Sequence, residues 1–203
     1  MEFTAFTGPI GVFLSLLLGA YLLGSISSAV LVCKLLGFPD PRTEGSNNPG
    51  ATNVMRIAGR GPAAMTLIGD ILKGIVPMLL AIGLGYSTTA IAWVGLAAFL
   101  GHLLPIFFRF QGGKGVATAF GVLFILHLPL GLAAGLVWLT VFFISRISSL
   151  ASMITFVFAP LCCWMLLPEA VLPISLLSAT LIARHHSNIR NLLKGEEQGF
   201  KKQ

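Results

Sequence analysis

Apolar runs about as long as a bilayer is thick follow one another along almost the whole chain, separated only by short polar clusters. A membrane-spanning helix needs roughly 20 apolar residues. Runs fall at approximately 10 to 36, 62 to 86, 88 to 109, 116 to 129, 130 to 146, 149 to 167 and 170 to 185, each bounded by Gly, Pro or polar residues. With 56% hydrophobic and 10% charged residues and a mean hydropathy of +0.90, the chain lies outside the range of soluble domains. No stretch is long enough for a separate soluble domain, so residues 1–203 are expected to form a single membrane domain.

The first run has no Lys or Arg before it and is too long for a signal-peptide core, so it reads as a retained transmembrane helix. Cys33, Cys162 and Cys163 lie within apolar runs without the spacings of a zinc site or disulfide framework, and read as packing residues.

The basic residues give an orientation, because Lys and Arg are retained on the cytoplasmic side of membranes. With the N-terminus outside, seven crossings place Lys34, Arg42, Arg56 and Arg60 in a first inner loop, Arg109 and Lys114 in a second, and Arg146 in a third. Arg184, Arg190, Lys194, Lys201 and Lys202 then form an inner tail, and Lys73 falls in the inner half of the second helix. The run from Val116 to Pro129 is short for a crossing, and a re-entrant segment is the alternative. If it did not cross, the basic tail would lie outside. The expected architecture is therefore all-α: a polytopic membrane helix bundle of about seven transmembrane segments, N-terminus outside and C-terminus cytoplasmic.

The outer connections are only a few residues long, so the chemistry belongs to the inner face. The first inner loop, Gly37 to Pro62, contains Gly45-Ser46-Asn47-Asn48-Pro49-Gly50-Ala51-Thr52-Asn53 before a short helix-like stretch to Ile57. Such a segment offers loop amides and a helix N-terminus to an anion, with Arg42 supplying charge. An ordinary polar turn has the same composition. The second inner loop carries Gly112-Gly113-Lys114-Gly115 ahead of a helix. It is not a Walker A loop, because Gly115 follows the lysine where Ser or Thr is required. A lysine anchoring a helix to anionic headgroups is the bland reading.

Asp70 and Lys73, at i, i+3 within an apolar run, read best as a mutually neutralising pair. Ser25, in Gly24-Ser25-Ile26-Ser27-Ser28, is a weaker site candidate, since small hydroxylated residues most often serve helix packing. Ser148, Ser149 and Ser152 are placed to cap the sixth helix or donate to a phosphate oxygen. His185 and Asn188 share a face at the end of the seventh helix, at the depth of Lys114 and Arg42.

The Gly24-Ser25-Ile26 segment with Asp40-x-Arg42 and the Gly45–Asn53 loop, the His102 to Thr118 stretch (GHxxP and GGKGVAT), and Arg184-His185-His186-Ser187-Asn188-Ile189 occur in order over almost the whole chain. In these the chain resembles the bacterial integral-membrane, acyl-phosphate-dependent glycerol-3-phosphate acyltransferases. Two positions depart from that pattern: Asn47 stands where the family typically has Gly, and Ser27 where many members have Pro. Asn is the residue next most tolerant of positive φ, so the loop is expected to survive.

The resemblance implies transfer of a fatty acyl group from acyl phosphate to the 1-hydroxyl of glycerol 3-phosphate. The products would be lysophosphatidic acid and phosphate, the first acylation of phospholipid synthesis, at the bacterial cytoplasmic (inner) membrane with the active site facing the cytoplasm. It implies no coenzyme A donor, cofactor or metal. It implies Lys114, His185 and Ser149 as catalytic residues, and Arg42, Ser46, Asn48, Gly50, Asn53, Gly112, Gly113, Lys114, Ser149, His185 and Asn188 as substrate-binding ones. Expected partners are the two substrates, membrane lipid and a soluble acyl-phosphate-producing enzyme, with no nucleic acid. Independently, none of the four histidines has Asp five positions on, so the acid-base pair of other glycerolipid acyltransferases is absent. The base is either a substrate phosphate oxygen or His185. A transporter of a small phosphorylated anion would share the basic inner vestibule but should show polar groups at the midplane and an internal repeat. A membrane scaffold needs no glycine loops.

Overall fold

The computed structural model describes residues 9–199. Lys201 and Lys202, assigned to the inner side by the charge count, lie outside the described residues. Regular structure among these residues is helical: α1 (Ile10–Gly24), α2 (Ser28–Leu35), α3 (Ala51–Ala58), α4 (Arg60–Gly83), α5 (Thr88–Leu103), α6 (Val116–Leu126), α7 (Leu128–Ser145), α8 (Ser148–Leu166), α9 (Val171–Arg184) and α10 (His186–Lys194), with 3₁₀ turns at Ile106–Phe108 and Pro168–Ala170.

By length and composition α4, α7, α8, and α5 taken with its following turn can each cross a membrane; α1 and α2 together make a fifth such unit. The expected single first helix is thus two, bent by 41° at a break. Its serines explain the break. Ser25 Oγ donates back to the Tyr21 carbonyl at 2.8 Å, and Ser27 caps α2 by accepting from the Val30 amide. The Ile26 carbonyl freed by the break is not left in hydrocarbon, because Lys73 Nζ donates to it at 2.8 Å. Ser25 is fully buried with its hydroxyl committed to that turn.

Helix α4 runs through the middle, touching α1, α2, α3, α5 and α6; α5 packs on α1, α4, α6 and α9, and α8 joins α7 to α9. Phe99, Met78, Leu123, Phe156, Leu177 and Leu181 form the shared core. Close approach of α4 and α6 depends on two glycines: a Cβ on Gly74 would strike the Thr118 carbonyl, and one on Gly121 the Ile71 carbonyl. Outward, α7 buries only Leu130, Gly131 and Ala134, while Leu132, Leu136, Phe143 and Ile144 are exposed. Such a face suits lipid rather than water.

Two ends of the bundle can be told apart by their contacts. At one, Tyr86 donates to the Pro9 carbonyl and Thr89 to that of Glu169. At the other, the 37–50 and 109–115 loops, the α7–α8 junction and the 185–199 segment converge on one cavity. Both ends of the α6–α7 hairpin lie there, since Lys114 and Gly115 precede α6 while Phe142 and Ser148 flank the end of α7 around that cavity. Chain parity therefore does not depend on how deep the hairpin reaches. Helix α6 has 11 residues, a length of about 17 Å.

Candidate functional site

The cavity has a volume of about 770 Å³, and its lining has polar and apolar contributions. One part is polar, lined by Ser46, Asn48, Gly50, Arg56, Lys114, Ser149, His185, Asn188 and Glu197. The other is apolar, with Ala63, Ala64 and Leu67 of α4, Phe120 of α6, and Trp138 and Phe142 of α7. Trp138 stacks on Phe142 at 4.9 Å between centroids, and its indole N–H donates to Ser152 Oγ at 3.0 Å, which holds both rings in the wall.

The first loop is folded around Asn53, which is buried near the start of α3. Its Oδ1 accepts from the Ser46 amide at 2.9 Å, and its Nδ2 donates to the Pro41 and Glu44 carbonyls, each at 2.9 Å. Both N–H donors of that amide and one lone pair of its oxygen go into shaping the loop. Asn47 sits at the tip with φ of 55°, the left-handed conformation that glycine adopts freely and asparagine tolerates. Gly50 precedes α3, so Gly50, Ala51 and Thr52 present the helix N-terminus to the cavity.

Arg42 is paired within its own loop. Its guanidinium grips Asp40 through Nη2 at 2.6 Å and Nε at 3.0 and 3.1 Å. Nη1 reaches the Phe108 carbonyl at 3.5 Å, and Arg42 does not line the cavity. The same pairing holds the Asp40 carboxyl below its ordinary range and lifts that of Arg42. This clamp ties the first loop to the second. Gly112 and Gly113 tie the second loop to its neighbours: their carbonyls accept from Arg184 Nη2 at 2.9 Å and Nε at 3.4 Å respectively, and the Gly113 amide donates to the His102 carbonyl at 3.2 Å. A Cβ on Gly112 would strike the carbonyls of His102 and Leu103. The glycine pair therefore permits close packing of the loop on α5 and anchors it to α9, which carries Lys114 into the cavity.

Lys114 Nζ donates to Asn188 Oδ1 at 2.5 Å, and Asn188 Nδ2 donates to Glu197 Oε1 at 2.6 Å. Ser149 Oγ donates to the same carboxylate oxygen at 2.5 Å. Ser152 donates instead to the Ser148 carbonyl at 2.8 Å, and no serine side chain caps α8. Burial lowers the Lys114 pKa to about 8; the Glu197 carboxylate resists that shift, and the charges of Arg184 and Arg56 add to it. His185 is 1% exposed. Its Nδ1 lies 2.8 Å from the Leu181 carbonyl, which can only accept, so the ring proton of the neutral side chain sits on Nδ1 and Nε2 keeps a lone pair.

Arg56 and Arg60, which enter the sequence reading only through the charge-based topology, line the cavity, as does Glu197, which that reading does not single out. The segment after α10 folds back, and Arg56 Nη2 donates to the Gln198 carbonyl at 3.0 Å. A carboxylate within a basic tail was the available signal for Glu197.

A family model described as glycerol-3-phosphate acyltransferase matches residues 14–195. A glycerol-3-phosphate acyltransferase of Shewanella sediminis is 52% identical over 184 residues, covering 91% of this chain and 92% of that one. Its counterpart in Hydrogenovibrio crunogenus is 54% identical over 188 residues, covering 91% and 90%. Among solved structures, the glycerol 3-phosphate form of the integral membrane glycerol 3-phosphate acyltransferase PlsY superposes with a TM-score of 0.89 at 39% identity, covering 94% of this chain and 96% of that chain. Its lysophosphatidic acid form gives 0.87 at 38% identity over the same shares. Agreement of sequence and fold over nearly the full length of each places this chain in the glycerol-3-phosphate acyltransferase family.

Proposed function

We propose that the whole chain is one catalytic domain that transfers a fatty acyl group from acyl phosphate to the 1-hydroxyl of glycerol 3-phosphate, releasing lysophosphatidic acid and phosphate. The observation that carries this reading is a single cavity with a cationic, hydrogen-bonding part and an apolar part. The substrate pair needs both: two phosphates and one long hydrocarbon chain.

Acyl phosphate is a mixed anhydride with a good leaving group, so the site chiefly has to hold two anions together and stabilise developing charge. Lys114, Ser149 and Asn188 bind the phosphate of glycerol 3-phosphate, exchanging contacts now made within the cluster. Ser46, Asn48, Gly50 and the first amides of α3 face the phosphate of the donor, while Arg42, Asn53, Gly112 and Gly113 hold the two loops in place. His185 Nε2 accepts the hydrogen bond of the attacking hydroxyl. The oxygen forms a bond to the acyl carbon, the carbon–oxygen bond to phosphate breaks, and the hydroxyl proton ends on the phosphate products. The acyl chain lies along Leu67, Phe120 and Trp138, where each buried CH₂ contributes roughly 0.8 kcal/mol.

The proposed setting is the bacterial inner membrane. Seven segments cross it, with the N-terminus outside and the cavity cytoplasmic, and a soluble enzyme supplies the acyl phosphate. Support comes from charge: Arg56, Lys114, Arg184 and Lys194 belong to the cavity end, whereas the Tyr86, Thr89 and Glu169 end carries no Lys or Arg among the described residues.

Purified protein given both substrates should form lysophosphatidic acid and inorganic phosphate in equal amounts, and acyl coenzyme A should not replace acyl phosphate. No acylated product from the first mixture would overturn the reading, and equal rates from the two donors would remove the donor assignment.

A further inference from the structure

Buried beside the cavity is a charged cluster that the scheme above does not use. Lys73 Nζ forms an ion pair with Asp70 Oδ1 at 2.8 Å and hydrogen bonds with the Ile26 carbonyl at 2.8 Å and His102 Nδ1 at 3.2 Å. An ammonium carries three hydrogens and accepts none. The imidazole nitrogen it faces must therefore be the one with the lone pair, and the ring proton of neutral His102 is on Nε2. Asp70 Oδ1 stands 3.6 Å from the same Nδ1, too far to claim a proton there.

The opposite edge of the ring is the informative one. His102 lines the cavity, and Nε2 lies beside Gly113, close enough that a Cβ on that residue would strike it. Among the described residues Nε2 makes no hydrogen bond. On the neighbouring α4, the polar Asp70 and the apolar Leu67, one turn apart, both border the cavity, so a polar and an apolar lining group meet here. In an acyl phosphate the group at such a junction is the carbonyl, which joins the chain to the phosphate.

We propose that His102 is a catalytic hydrogen-bond donor whose Nε2–H stabilises the charge that grows on the acyl carbonyl oxygen, and that Lys73 is the positioning residue that fixes its tautomer. The proposal rests on the reading that the cavity holds acyl phosphate. When the glycerol oxygen attacks, the carbonyl electron pair moves onto its oxygen and is held by this N–H. It returns to carbon as the bond to phosphate breaks, so His102 neither gains nor loses a proton. The two buried histidines then have complementary forms, His185 accepting through Nε2 and His102 donating through Nε2.

Two measurements test this. In purified protein, His102→Leu should lower kcat by about 10² to 10³ with KM for glycerol 3-phosphate unchanged, and His102→Gln, whose amide N–H can reach the Nε2 position, should recover most of the loss. Turnover by folded His102→Leu within about threefold of the unmodified protein would overturn the proposal, as would failure of folded His102→Gln to exceed it. If the variants do not fold, ¹⁵N spectra of histidine-labelled unmodified protein decide: a proton on Nε2 and none on Nδ1 of His102 is expected, and the reverse tautomer or an imidazolium would refute it. Turnover of the unmodified protein separates failure of this assignment from failure of the reading beneath it.

Discussion

Lys114 is the residue at which membrane anchoring and phosphate binding make different demands. A headgroup anchor needs only positive charge, so Lys114→Arg would be silent. A phosphate ligand seated beside Asn188 needs a compact ammonium, and the planar guanidinium would misplace the substrate. Loss of a charge-assisted contact worth about 1.5 to 3 kcal/mol should lower kcat/KM by roughly ten- to a hundredfold in both Lys114→Ala and Lys114→Arg, at unchanged folded yield. Near-normal turnover by purified Lys114→Ala would make the residue an anchor. The lowered pKa adds a pH test. Because Lys114 titrates at about 8, its charge is present below that pH and lost above it, so acyl transfer should fall on the alkaline side. Glu197 raises this pKa; Glu197→Gln should therefore move the alkaline limb to lower pH. An alkaline limb unchanged in Glu197→Gln would place the controlling group elsewhere.

Among the helices, α6 is the most exacting, because it is short and packs on α4 through Gly74 and Gly121. Gly121→Ala should force the helices apart and cost about 1 to 3 kcal/mol, read as a lowered unfolding temperature in detergent. An unchanged transition would mean that the α4–α6 contact yields freely. Hydrophobic runs made most of these elements legible in advance, with ends close to those observed from α4 onward, since apolar length is what a bilayer selects. The break after Gly24 was not legible as a break: a run of 10 to 36 looks continuous, and only Lys73, far along the chain, satisfies the Ile26 carbonyl it exposes. The loops show the same division. Glycine and asparagine content marked the first of them as a candidate anion-binding loop or an ordinary polar turn, and Asn47 adopts the positive φ expected of it. That Asn53 would spend its amide on the loop, that Arg42 would clamp Asp40, and that Glu197 would return to the cavity are consequences of tertiary proximity, which spacing along the chain does not encode.

For the molecule as a whole, the arrangement puts polar chemistry at one end and a lipid-facing apolar surface around it, which is what joining a water-soluble phosphate to a hydrocarbon chain requires. In the proposed orientation the basic end of that arrangement faces the cytoplasm. Both the activity and the direction can be read in one experiment with sealed vesicles of the cell membrane, since glycerol 3-phosphate does not cross lipid unaided. Acyl phosphate is supplied to inverted and to right-side-out vesicles, with labelled glycerol 3-phosphate outside in each case. The account predicts labelled lysophosphatidic acid from the inverted vesicles alone. Equal formation by intact right-side-out vesicles, or none by inverted ones, would contradict it.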